Sequence, residues 1–189
     1  TCGLATYNHT SEETQLEIKP KIIDDKRVLY GKKIIMRYEQ KKLKNIYIPQ
    51  NAQASTITEG YKKIKDDTTQ IELKSEFNDD LTSTSLEGFF DDGILDSLRL
   101  SGMATTVYHI FEDSLYKGKN VTSGDTIIMN FKEKELNNII VNGGSQGKYT
   151  PDSLTNDTGQ PLKYSAEKID YNIKTEKTKL IGNAKAYHE

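Results

Sequence analysis

Three histidines and four aspartate pairs are the side chains of this 189-residue chain best suited to chemistry. His9, His109 and His188 each follow, within two residues, a tyrosine that comes after a Gly-x-Ala motif. Equivalent places in stacked units could converge on a metal, since imidazole nitrogens are common zinc ligands. No second cysteine or carboxylate keeps ligand spacing with them, so the pattern reads as an echo of a sequence repeat at strand ends. The pairs Asp24-Asp25, Asp66-Asp67, Asp79-Asp80 and Asp91-Asp92 are of the type a glycosidase sets across a cleft. All four read as turns, where a short carboxylate is favoured because it bonds nearby backbone N–H groups. The chain has no nucleophile elbow, P-loop or H-E-x-x-H. No catalytic residue, metal or cofactor is assigned, and an enzyme is not expected. Three matches to the glycosylation sequon, at Asn8, Asn120 and Asn156, are expected by chance in a chain rich in Asn and Thr.

Composition narrows what elements could position any site. Hydrophobic residues make up 34% and charged residues 29%, which implies a thin core or an elongated body. Eleven tyrosines and a net charge of −2 argue against disorder, which goes with few aromatics and high net charge. The same near-neutral balance excludes the basic face of a nucleic-acid binder. A single cysteine, Cys2, excludes an intrachain disulfide. No apolar run approaches the length of a membrane-spanning helix. The chain starts at Thr1 without a visible signal peptide, as a processed or trimmed fragment would.

Helix signals are nearly absent. The segment from Tyr61 to Lys74 comes closest, but its centre, Asp66-Asp67-Thr68-Thr69, reads as a turn. Alternation of period two is frequent instead: Ile34, Met36 and Tyr38 share a face, as do Ile127, Met129 and Phe131, and Ile169, Tyr171 and Ile173. Residues 31–54, 83–106 and 124–147 align without a gap. Ile34, Leu86 and Ile127 match, then Tyr38, Phe90 and Phe131. Leu43, Leu95 and Leu136 follow a polar turn. The return strand matches as Ile46, Leu98 and Ile139, then Ile48, Leu100 and Val141. Small residues close each unit: Ala52, Ala104 and Ser145. A fourth unit, Ala166 to Tyr187, is expected to carry a shorter turn. Each unit reads as a hairpin, with Asp91-Asp92-Gly93 as the clearest turn. Both chain ends lie at the same phase of the repeat, which predicts one link of a longer protein or head-to-tail stacking.

The unit with I-x-x-x-[YF], a turn, L-x-x-I-x-[IVL]-x-G-x-A and a tyrosine resembles the OstA-like lipopolysaccharide-transport family. The stretch from Leu100 to Tyr108, with Gly118-Lys119-Asn120 and the run from Ser123 to Pro151, is most similar to the longer Bacteroidetes-type members. The resemblance covers most of the chain and is least clear over residues 55–80 and 150–162. Gln50, where the second unit has Gly102, departs from the pattern. The resemblance implies an all-β jellyroll of two opposed antiparallel sheets over residues 1–189, built from quasi-repeated hairpins and open at the ends. It implies a periplasmic or outer-membrane-associated carrier that holds lipopolysaccharide acyl chains and pairs edge strands with neighbouring jellyrolls or further copies. The expected lipid-contact set is Ile34, Met36, Tyr38, Ile46, Ile48, Leu86, Phe90, Leu98, Leu100, Ile127, Met129, Phe131, Ile139 and Val141. For each of these, plain core packing is the competing reading, because one face does both jobs. Two other classes stay open: a self-assembling module with a dry core, and a carbohydrate-active β-repeat enzyme.

Overall fold

A computed structural model describes residues 1–66, 69–155, 159–175 and 177–188 of the chain. It is all-β, with no helix among these residues. The strands are β1 (Leu4–Asn8), β2 (Glu13–Glu17), β3 (Lys21–Asp24), β4 (Arg27–Tyr30), β5 (Lys33–Glu39), β6 (Lys42–Ile48), β7 (Ala52–Asp66) and β8 (Thr69–Ser83). They continue as β9 (Ser85–Asp91), β10 (Ile94–Glu112), β11 (Leu115–Lys132), β12 (Glu135–Pro151), β13 (Leu162–Asn172), β14 (Lys177–Ile181) and β15 (Lys185–His188). All belong to one hydrogen-bonded sheet. Its ladders are antiparallel except for a single parallel bridge, Leu115 to Tyr61.

The repeat units are hairpins, and their turns fall at the same place in each. Gln40-Lys41, Asp92-Gly93 and Glu133-Lys134 all have positive φ, the left-handed pair that matches the twist of adjoining strands. Each return strand then carries a one-residue bulge. Lys44, Asp96 and Asn137 have no partner within their own hairpin ladder, because the register skips from Leu43 to Asn45, from Leu95 to Ser97 and from Leu136 to Asn138. A bulge resets which side chains face inward. That explains the L-x-x-I spacing, which breaks strict alternation in the sequence yet puts both apolar residues on one face. The fourth hairpin corrects the expectation of a shorter turn. Residues 173–176 separate its last pair, Asn172 and Lys177, where the other units have two residues between the last pair.

A second irregularity bends the sheet. Gly102-Met103, Gly143-Gly144 and Gly182-Asn183 are left-handed pairs between two extended stretches, and Ile18-Lys19 forms the same corner. At the first-unit corner only Asn51 is left-handed, which is how Gln50 can stand where the other units carry glycine. Neighbouring strands turn the corner with a single residue that donates its N–H across it. Gly3 donates to Ile18 O at 2.9 Å, Lys32 to Gln50 O at 3.1 Å, Thr84 to Gly102 O and Glu167 to Gly182 O at 2.9 Å each. The residue after the left-handed pair points into the bend and is small: Ala52, Ala104 and Ser145 are at most 1% exposed.

The corners divide the sheet into two limbs. The first runs β1-β2-β5-β6-β9-β10-β11-β12-β13-β14 and carries the repeat hairpins. The second runs β3-β4-β7-β8-β10-β11-β12-β13-β15, using the far halves of the long strands. Residues 55–80, which matched the repeat least clearly, form the β7–β8 hairpin, registered from Ala52–Ser83 to Asp66–Thr69. Its end falls where the turn was predicted, with Asp67 and Thr68 outside the described residues. Asp79-Asp80 departs from expectation, since both residues lie inside β8 and not in a turn.

Candidate functional site: an apolar cavity between the two limbs

The inner faces of both limbs border one cavity of about 580 Å³. Two different walls enclose it. The first-limb wall is apolar: Ile46, Leu86, Phe90, Leu98, Met129, Phe131 and Ile139 line it, with Leu95, Leu136, Tyr171 and Ile173. The hairpin bulges put Leu95 beside Leu98 and Leu136 beside Ile139 on this wall. The second-limb wall mixes Val28, Leu29, Ala54, Leu81 and Ile110 with Thr56, Thr58, Asp79, Thr106, Tyr108 and His109. Arg27 and Lys134, both exposed, also border the cavity, one from each limb.

Seven of the fourteen predicted contact residues therefore border the cavity; five of these, Ile46, Leu86, Leu98, Met129 and Ile139, also belong to the buried core, and Phe90 and Phe131 are half-buried. Five others, Ile34, Ile48, Leu100, Ile127 and Val141, are at most 1% exposed and pack together in the core without bordering the cavity. Met36 is half-buried against that core, and the half-buried Tyr38 reaches Met36 Sδ with its hydroxyl at 3.7 Å; both lie away from the cavity. On β6, β10, β11 and β12 the inner face changes along the strand: it is packed beside the corner at Ile48, Leu100, Ile127 and Val141, and it lines the cavity farther out at Ile46, Leu98, Met129 and Ile139.

The second wall was not foreseen. Its signal is the alternation Ala54-Thr56-Thr58 and Thr106-Tyr108-Ile110, which continues inward parity past the small-residue motif. Threonine and tyrosine in those places hid an inward face from a search for Leu and Ile. Polar groups on this wall are largely satisfied. The Asn120 amide donates to Tyr108 Oη at 3.1 Å, and the Tyr164 hydroxyl donates to Asn120 Oδ1 at 2.9 Å. Tyr108 stacks on Tyr171 of the opposite limb, centroids 6.1 Å apart. Burial first, and then the neighbouring Tyr164 and Tyr171, push the Tyr108 phenol far above its usual range. It stays neutral, as an apolar surrounding requires.

Asp79 and His109 mark the place where the second limb splits. β8 and β10 pair over only three residues, Asp80–Leu81–Thr82 with Val107–Thr106–Thr105. Beyond them Asp79 Oδ1 takes over the role of a strand carbonyl and accepts the His109 backbone N–H at 2.8 Å. The same oxygen is 2.8 Å from His109 Nδ1, which donates to it. An aromatic group fills the split: Phe77 lies 5.2 Å from the His109 ring, 5.1 Å from Phe111 and 4.8 Å from Tyr116, centroid to centroid. Gly60 makes room for it, since a Cβ there would lie 2.4 Å from the Phe111 ring.

The three histidines are not brought together. His9 packs on Tyr7, His109 binds Asp79, and His188 ends the ladder of β15 with β13. Among the described residues no group of three or more His, Cys, Asp or Glu side chains is placed to hold a metal ion. The aspartate pairs are likewise dispersed: Asp25 and Asp92 have the left-handed backbone of turns, and Asp92 pairs with Lys42. No family model matches this chain, and no curated protein matches it.

Proposed function

We propose that the chain is a lipid-holding module of a transport bridge, a carrier for the acyl chains of lipopolysaccharide on their way to the outer membrane. The observation that carries this reading is the cavity, because its open first-limb wall is built from the repeat positions that the family resemblance assigns to lipid contact. An alkyl chain entering it would leave water at roughly 0.8 kcal/mol per buried CH₂. No covalent chemistry is needed. In this reading the two limbs act as the opposed sheets of an open jellyroll, and the periplasm is its compartment.

The bridge part of the proposal rests on the corners. Strands with a left-handed pair alternate with strands that turn the corner on one residue. At one end of the sheet β1, entered through the single-residue corner at Gly3, pairs only with β2 among the described residues; at the other, β14 and β15 flank the left-handed pair Gly182-Asn183. Bringing the second end of one module against the first end of another continues both the alternation and the antiparallel order. Further copies or related jellyrolls are the partners this would join.

Photo-crosslinking to lipopolysaccharide tests the carrier reading. A photoreactive residue at Phe131 or Phe90 should label. One at Leu100, sealed in the core, or at Lys132, on the outer face, should not. Equal labelling at all four would overturn it. The competing reading, a dry self-assembling module, draws on the fully packed layer of Ile34, Ile48, Leu100, Ile127 and Val141. It predicts assembly without labelling at any of the four.

A further inference from the structure

Two polar groups bordering the cavity are not used up by the packing of the sheet: the Thr106 hydroxyl, buried without a partner among the described residues, and the Asp79 carboxylate, the one that carries charge. Asp79 has two carboxylate oxygens. Oδ1 accepts two N–H bonds from His109, both 2.8 Å long. Among the described residues Oδ2 has only the Thr58 hydroxyl, at 3.4 Å, beyond the usual 2.5–3.0 Å of an O–H···O bond. A carboxylate has about four acceptor positions, so half of this one is unspent. The side chain is 21% exposed and borders the cavity between Thr58 and Leu81. Phe90, Leu95 and Phe131 of the apolar wall border the same cavity.

We infer that Oδ2 of Asp79 is a subsite for a neutral hydrogen-bond donor, a hydroxyl or amide N–H, carried by an otherwise apolar chain. The inference rests on the carrier reading and specifies its ligand. The second oxygen offers acceptance only, so the site selects for a donor and against an ether or ester oxygen. It also selects against an anionic head at this depth, since a carboxylate or phosphate there would face Asp79. Anions are favoured instead at Arg27 and Lys134, the exposed cations bordering the same cavity. The ligand class is therefore an amphipath with a donor partway along its chain. The double clamp on Oδ1 matters for this: it fixes the carboxylate, so that little ordering remains to be done when the donor arrives.

Three probes test it by calorimetric titration on the whole chain: a long-chain primary alcohol, its methyl ether, and a secondary amide of the same length. The alcohol and the amide should bind about tenfold tighter than the ether, or about 1.4 kcal/mol. In Asp79→Asn, whose remaining carbonyl oxygen can still cap His109 and whose NH2 now donates where Oδ2 accepted, that preference should shrink to about twofold or less, with ether binding no weaker than in the parent. A measurement on the unaltered chain guards against misfolding of the variant. The Asp79 carboxyl carbon resonance should move on adding alcohol or amide and stay in place with ether. Equal affinity for all three probes, with no movement of that resonance, overturns the subsite and leaves the carrier reading intact. Absence of binding by any probe overturns both.

Discussion

Replacing Gly102 by alanine tests the corner geometry on which the whole bend depends. Gly102 has φ +78°, and a Cβ built on it would lie 2.6 Å from Thr84 Oγ1 and 2.8 Å from Thr84 Cβ. Two costs follow. A left-handed backbone costs a non-glycine residue about 1–2 kcal/mol. Crowding against the exposed Thr84 adds about 1–3 kcal/mol, because the Thr84 Cβ belongs to the backbone frame and cannot rotate aside. Gly93 supplies the control. It has the same φ of +78°, in the β9–β10 turn, and a Cβ there would meet nothing within 4 Å. Gly93→Ala should therefore lose only the backbone part, about 1–2 kcal/mol, and Gly102→Ala about 2–5 kcal/mol. Urea unfolding followed by circular dichroism measures both. Repeating Gly102→Ala in a Thr84→Gly background isolates the clash, and a coupling of about 1 kcal/mol or more is expected. Equal losses for the two alanine variants, or no coupling to Thr84, would refute the claim that the corner is held by close approach as well as by backbone conformation.

Ile18 is a β-branched residue with φ +61° at the place where other corners carry glycine, so Ile18→Gly should stabilise the chain by up to about 1 kcal/mol in the same urea assay. Leu100→Ala should cost about 2–5 kcal/mol, as a sealed core leucine does. Phe131→Ala should cost less than a buried phenylalanine normally would, because it already borders open space. Filling the cavity with Ala54→Phe should leave the unfolding free energy within about 1.5 kcal/mol of the parent, yet abolish binding of a fluorescent fatty-acid probe. Glu59 is held down to about 2 by hydrogen bonds first from Lys26 and then from Lys74, the latter at 2.6 Å. Its depressed value means that its contribution to stability is present above the ordinary carboxylate range and is lost as pH falls from about 4.5 towards 2. An NMR titration of the Glu59 carboxyl should show the low midpoint, and Lys74→Ala should raise it.

Much of the first limb was legible because each hairpin repeats a complete set of local rules. Turn residues, inward apolar positions and a small closing residue recur at the same spacing, and Gln40-Lys41, Asp92-Gly93 and Glu133-Lys134 duly form the turns. The Gly-x-Ala motif was legible as a feature, and its cause is visible only in the fold. Gly102 and Gly182 are there for a left-handed backbone that bends a strand, and Ala104 is there to fill the bend. Nothing in the types of Ile18 and Lys19 announces the same corner, since its conformation is imposed by neighbouring strands against local preference. The second limb was the least legible part. Thr56, Thr58 and Thr106 look solvent-facing until a second wall covers them. Asp79 resembled its neighbours at turns because a carboxylate bonds backbone N–H groups in both settings. The difference is that its partner, His109, is thirty residues away in sequence.

The alternation of corners also sets how such a chain can change in length over evolutionary time. A strand with a left-handed pair needs single-residue neighbours on both sides, as β10 has the β8–β9 corner at Thr84 on one side and β11 on the other. Duplicating or deleting one outbound strand together with its return keeps every donor opposite its carbonyl. Losing a single strand would place two corners of the same kind side by side and leave their N–H groups facing one another. Length variants should therefore differ by whole out-and-back pairs, and the cavity should grow or shrink in the same discrete steps.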